Sequence, residues 1–214
     1  MDGGGAAARA ALPSGTMPAP GSTLTRTRWS ARVAAEVAPH RRAVAALAVV
    51  GVTWALWASG PGWATPAYVV VGLAGAAHAV VDARTHRLPD AVTLPALALT
   101  AGLLALAAAA GGDGGRLVRA LAGGAVLGGA YLLLHLAQRR GLGLGDVKLA
   151  VLLGLPAGWA GWDAVWWTGV LPFLLGGLAA VALVVARRAT LATAIAFGPW
   201  MLLGAAVTLA LARA

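Results

Sequence analysis

The feature that most restricts this 214-residue chain is a succession of seven apolar blocks, at roughly 43–59, 65–82, 91–110, 117–137, 147–159, 164–186 and 193–212, separated by Gly, Pro and charged residues. A helix needs about 20 apolar residues to cross a bilayer. In lipid it is also one of the two structures that satisfy every backbone N–H and C=O internally. Amphipathic periodicity is weak inside the blocks, as expected where most faces are apolar. Charged residues make up 11% of the chain and hydrophobic residues 60%, against about 25% charged in a soluble domain. Mean hydropathy is +0.81. A chain of this size could not hide so much apolar surface in water. The expected fold is therefore all-α, a polytopic transmembrane bundle of about six to seven helices occupying residues 41–214. The fifth block is short and carries Pro156, which predicts a tilted helix or one that does not span alone.

Residues 1–40 are rich in Gly, Ala, Pro, Ser, Thr and Arg with no apolar run, and read as a disordered cytoplasmic tail. The first apolar stretch follows Arg41-Arg42, which fits an uncleaved signal anchor. There is no cysteine, so disulfides, thiolate metal sites and a Cys nucleophile are excluded together. The net charge of +9 is not read as nucleic-acid binding. The arginines sit in short groups beside apolar blocks, where they act as topology signals and contacts for membrane lipids. With the N-terminus inside, Arg116, Arg119 and Arg213 fall outside and every other Lys and Arg falls inside. The positive-inside rule then places the N-terminus in the cytoplasm. Trp54, Trp57, Trp63, Trp159, Trp162, Trp166 and Trp167 gather at the opposite ends of the blocks and read as interfacial anchors.

Of the seven acidic residues, Asp2 and Glu36 lie in the tail, Asp113 lies in a Gly-rich turn, and Asp163 reads as a helix N-cap. Asp82 ends the second block and Asp146 opens the fifth. They are 64 residues apart yet at the same predicted membrane depth, so they can meet if their helices are neighbours. Each alone reads equally well as a boundary charge or a helix cap. As a pair they suit peptide hydrolysis: two close carboxylates share one proton, one activating water while the other donates to the carbonyl oxygen. His78 lies one turn before Asp82 on the same face, and His135 near the end of the fourth block. Both are expected to make structural hydrogen bonds.

Gly141-Leu142-Gly143-Leu144-Gly145-Asp146-Val147-Lys148-Leu149 resembles the GxGDxK motif of type IV prepilin peptidases, a family of GxGD-type membrane aspartyl peptidases. Gly143, Gly145, Asp146 and Lys148 all match. Asp82 is followed by a basic stretch and then Leu88-Pro89-Asp90, similar to the family's Ile-Pro-Asn triplet. Phe197-Gly198-Pro199 resembles a third family signature, and the three motifs cover most of residues 65–205 in the right order. The resemblance implies an aspartic endopeptidase that needs no cofactor, with Asp82 and Asp146 catalytic and Gly143, Gly145, Lys148, Pro89, Asp90, Gly198 and Pro199 as motif support. The implied substrate is a prepilin or pseudopilin, cut at the cytoplasmic face of a bacterial inner membrane. Longer members carry a four-Cys cytoplasmic insert and an N-methyltransferase activity. This chain has neither the Cys nor that insert, and resembles the short form used with Flp/Tad-type pili.

Gly143 and Gly145 would let a substrate backbone approach Asp146, and a helix N-terminus favours negative charge there. Lys148 either balances the acidic pair or meets lipid phosphate. Asp90 either extends the acidic site or sits in a first turn, the latter being favoured. Pro89 suits a helix start because its missing N–H is an orphan there. The competing functions are a small multi-span transporter and a non-catalytic pilus or secretion assembly protein. The first expects acids near the bilayer midplane, and the second leaves the paired Asp unexplained.

Because the chain has no native Cys, a single Cys at Thr85 reports topology cleanly. It should react only with reagents that cross the membrane. Labelling by an impermeant maleimide in intact cells would reverse the orientation.

Overall fold

The computed structural model describes residue 31 and residues 38–85, 90–138, 142–188 and 196–213. The tail expected over 1–40 lies outside these, apart from Ala31 and a 3-10 turn at Ala38–His40. Seven helices follow: α1 (Arg41–Ser59), α2 (Thr65–Thr85), α3 (Asp90–Gly111), α4 (Gly114–Ala137), α5 (Leu144–Ala160), α6 (Trp162–Val185) and α7 (Gly198–Leu211). No strand occurs among the described residues. Five of the helices, α1 to α4 and α6, are long and apolar enough to cross a membrane. Their outer faces bear exposed Val49, Leu106, Val118, Leu133, Leu178 and Val185, each more than 60% accessible. A water-soluble monomer does not tolerate so continuous an apolar surface. The chain is a multi-pass membrane protein.

The helices are arranged around α5. At 17 residues it is short, yet eleven of them, from Asp146 to Trp159, are buried. It touches α2, α3, α4, α6 and α7. The short helix is thus enclosed by protein on most sides. The second enclosed helix is α2, whose Ala67, Val71, Ala74, Ala77, Val80 and Val81 are buried. The least buried spans are α1 and α6.

Small residues bring the backbones together. The buried face of α4 is Ala120, Gly123, Gly124, Leu127, Gly128 and Tyr131, spaced at i, i+3, i+4, i+7, i+8 and i+11. It lies directly on Gly154 and Gly158 of α5. A Cβ at Gly123 would stand 2.7 Å from the Gly154 carbonyl oxygen and 2.8 Å from the Gly158 Cα. Likewise, Gly51 of α1 meets Gly72 of α2 backbone to backbone. Membrane helices gain little hydrophobic energy from one another, so such close van der Waals contact is a main source of their association. The turn between α3 and α4 uses Gly112 at φ +67°, with the Asp113 N–H returning to the Ala108 carbonyl, a Gly-terminated helix end. Asp113 then caps α4 by accepting the Arg116 N–H at 3.1 Å.

Two expectations are modified. Asp163 is not an N-cap: Gly161 holds that position, and exposed Asp163 sits inside the first turn of α6. Among the tryptophans, Trp57, Trp63, Trp162, Trp166 and Trp167 are exposed, as membrane anchors would be. Trp159 is buried, and Trp54 donates its indole N–H to the Ala206 carbonyl of α7. The three arginines at this end all find partners. Arg119 donates to the Gly158 and Trp159 carbonyls at 2.8 and 3.1 Å, closing the C-terminus of α5. Arg213 donates to the Trp57 carbonyl at the end of α1. Arg116 pairs with Asp113 and lies 5.8 Å from the Trp159 ring centre.

Gly154→Val would push a side chain to 2.7 Å from the Gly123 carbonyl oxygen and the Gly124 Cα, neither of which can yield without moving α4. We expect a loss of roughly 1–3 kcal/mol or more, read by unfolding in detergent. Gly129→Ala, on α4 but with open space around it, should be neutral or gain up to about 1 kcal/mol. Equal stabilities would refute the glycine contact.

Candidate active site

At the end of the bundle opposite Trp57, Trp63 and Trp162, three helix termini converge. Asp82 occupies the last turn of α2, Asp146 is the third residue of α5, and Gly198 begins α7. Both aspartates are buried, at 4% and 7% exposure. The two residues, 64 positions apart in sequence, lie at the same end of the bundle on helices that touch one another.

Each carboxylate is held by a glycine amide at a helix start. Asp146 Oδ2 accepts the Gly143 N–H at 2.8 Å. Gly143 is the N-cap of α5, with extended backbone, so Asp146 reaches back to it from N3 as in one half of a capping box. Asp82 Oδ2 accepts the Gly198 N–H at 3.0 Å, one of the orphan donors of α7. Glycine is needed at 198 because a Cβ would lie 2.6 Å from that same oxygen. Pro199 follows in the first turn of α7, where it forfeits no helical bond. Phe197 anchors this start, its ring centre 4.9 Å from that of Phe173 and 6.3 Å from that of Tyr131.

The remaining motif residues are distributed around this centre. Gly145 lies half-buried next to Asp146 in the first turn of α5. Lys148 Nζ meets both carboxylate oxygens of Asp90, at 2.7 and 2.8 Å, tying the start of α5 to the start of α3. Pro89 lies outside the described residues. His78 is fully buried and links α2 to α3, with Nδ1 2.6 Å from the Ala74 carbonyl and Nε2 2.7 Å from Thr93 Oγ1. Nδ1 is the donor to the carbonyl. The hydrogen bond of His135 to the Leu142 carbonyl, 2.6 Å long, was not legible in the sequence. Its only signal is an ionisable side chain in an otherwise leucine-rich helix end. The part of Phe197 was equally hidden, since its aromatic partners come from α4 and α6.

Two carboxylates within electrostatic range can hold one proton between them, leaving one as base and the other as acid. The fold and this pair define a multi-pass membrane protein with an acidic centre at one end of its bundle. Residues 68–212 match the type IV leader peptidase family. The chain belongs to that family. It is 38% identical over 141 residues to the prepilin leader peptidase/N-methyltransferase of Escherichia coli K12, covering 61% of this chain and 56% of the relative. It is 32% identical over 148 residues to the Aeromonas hydrophila protein of the same name, covering 66% and 48%. The Pseudomonas putida protein is 35% identical over 127 residues, covering 57% and 41%. The chain spans about half the length of the curated relatives it matches. No solved structure matches it.

The Lys148–Asp90 pair is partly exposed, at 37% and 59% of the two side chains. A pair so open to solvent contributes below about 1 kcal/mol. Asp90→Ala should therefore leave unfolding in detergent nearly unchanged. A loss above about 2 kcal/mol would mean that the ion pair is shielded from water.

Proposed function

We propose that this protein is a membrane aspartyl endopeptidase that cleaves the leader peptide of type IV prepilin-like or pseudopilin substrates, with Asp82 and Asp146 as its catalytic pair. The observation that carries this reading is that two buried carboxylates, one on α2 and one on α5, lie at a single end of the bundle on touching helices. Membership of the type IV leader peptidase family supports it.

The chemistry follows from the pair. The ionised aspartate takes a proton from a water molecule as its oxygen attacks the scissile carbonyl. The protonated partner gives its proton to the carbonyl oxygen, forming a neutral tetrahedral diol. Collapse breaks the C–N bond. The amine leaves with a proton from the aspartate that acted first as base, and the diol returns one to its partner. The Gly143 and Gly198 amides restrict how each carboxylate turns. Gly143 and Gly145 keep the approach to Asp146 free of side chains, and no metal or other cofactor enters the scheme.

The Lys/Arg bias supports an orientation with the N-terminus and the acidic centre at the cytoplasmic face of a bacterial inner membrane. Residues 1–40 would form a cytoplasmic tail ahead of the peptidase unit, 41–214. At that face a substrate whose leader precedes an apolar helix can place its scissile bond beside the aspartates while the helix stays in lipid.

Asp82→Asn and Asp146→Asn should each abolish cleavage of a co-expressed prepilin while membrane insertion is retained. The double variant should be no worse, because the two carboxylates act as one unit. Gly198→Ala should also impair cleavage, by displacing the Asp82 carboxylate. Retention of more than about a tenth of wild-type cleavage by either Asn variant, a barrier change below ~1.4 kcal/mol, would rule out the aspartyl mechanism.

A further inference from the structure

Two hydrogen bonds described above meet on one peptide group. His135, in the last turn of α4, places Nδ1 2.6 Å from the Leu142 carbonyl oxygen. A carbonyl only accepts, so Nδ1 carries the proton. The N–H of that same peptide group belongs to Gly143, and it donates to Asp146 Oδ2 at 2.8 Å.

The peptide is planar, with its C=O and N–H on opposite edges. Fixing the direction of the oxygen therefore fixes the direction of the N–H. A donor on the oxygen also polarises the amide and makes its N–H a better donor. This matters here because the hydrogen bonds of α5 begin at the Gly143 carbonyl, one peptide group after this one. The Leu142–Gly143 peptide precedes α5, and α4 has already ended at Ala137.

Packing alone gives no reason for a histidine at 135. Leu132, Leu133, Leu134 and Leu136 around it are exposed on the outside of the bundle, where a further leucine would suit lipid equally well. The half-buried imidazole instead turns toward the α4–α5 connection.

We propose that His135 is a positioning residue that sets the Asp146 carboxylate through the Leu142–Gly143 peptide group, a role that rests on the cleavage reaction proposed above. It touches neither the substrate nor the reacting atoms in this scheme. It acts by holding the amide that holds the aspartate.

The test compares His135→Leu with His135→Asn in the full chain, reconstituted in vesicles. Leu removes the donor at similar size. Asn restores an N–H donor at the same distance from the backbone as Nδ1. With a purified prepilin as substrate, His135→Leu should lower kcat roughly three- to tenfold, the rate equivalent of one hydrogen bond, with KM unchanged. His135→Asn should stay near wild type. In parallel, hydrogen–deuterium exchange followed on overlapping fragments should show the Gly143 amide exchanging faster in His135→Leu and at the wild-type rate in His135→Asn.

In an enzyme that cleaves, the proposal is overturned if kcat is unchanged in His135→Leu, if the loss appears in KM, if Asn does not rescue, or if exchange at Gly143 does not move. The cleavage reading survives each of these. If the wild-type protein cleaves no prepilin, the cleavage reading falls, and the exchange arm alone decides whether His135 controls the Gly143 amide.

Discussion

Everything in this bundle depends on how closely α4 and α5 approach. In lipid the hydrophobic effect does not press helices together, and the alternative to a helix contact is an equally apolar acyl chain. Gly123 and Gly154 resolve this by removing the side chains between two backbones. That contact seats α5 in the middle of the protein, where its 17 residues are sheltered by five neighbours. With α5 in the centre, its N-terminus necessarily opens among the ends of the other helices. The carboxylate of Asp146 is thereby carried to a buried point that no loop residue on the periphery could occupy.

Burying carboxylates is unfavourable unless each finds donors. Backbone amides meet part of this requirement. Gly143 and Gly198 supply N–H groups that their own helices cannot use, and helix N-termini are favourable places for negative charge. Lys148, the nearest cation in the motif, is engaged by Asp90 instead. At the other end of the molecule the guanidinium groups do the complementary task, with Arg119 and Arg213 closing the carbonyl ends of α5 and α1.

The seven helices were legible because lipid makes the pattern simple: blocks of apolar residues bounded by Gly, Pro and charge. The boundaries shifted where tertiary contact intervened. The last helix begins at Gly198 rather than near 193, at the residue whose N–H Asp82 receives. Trp159 resembled an interfacial anchor in sequence because its neighbours are anchors, yet enclosure of α5 buries it. Asp82 and Asp146 stood out individually, as acids at the ends of apolar blocks. The pairing of Lys148 with Asp90, 58 positions away, and the grip of His135 on Leu142 could not be read, since neither leaves a periodic trace.

The sequence by itself determined that this chain must fold in a membrane as helices, roughly where those helices lie, and which few ionisable groups stand where apolar ones would be cheaper. These are consequences of local composition and of the requirement that a lipid-embedded backbone satisfy its own hydrogen bonds. Only the tertiary structure decided that α2 and α5 are neighbours and that the Asp82 carboxylate receives an amide from the start of α7. The physical reason is that Asp82 and Gly198 stand 116 positions apart and meet through a backbone N–H, a group that every residue but proline possesses. Which residue supplies it is set by packing geometry.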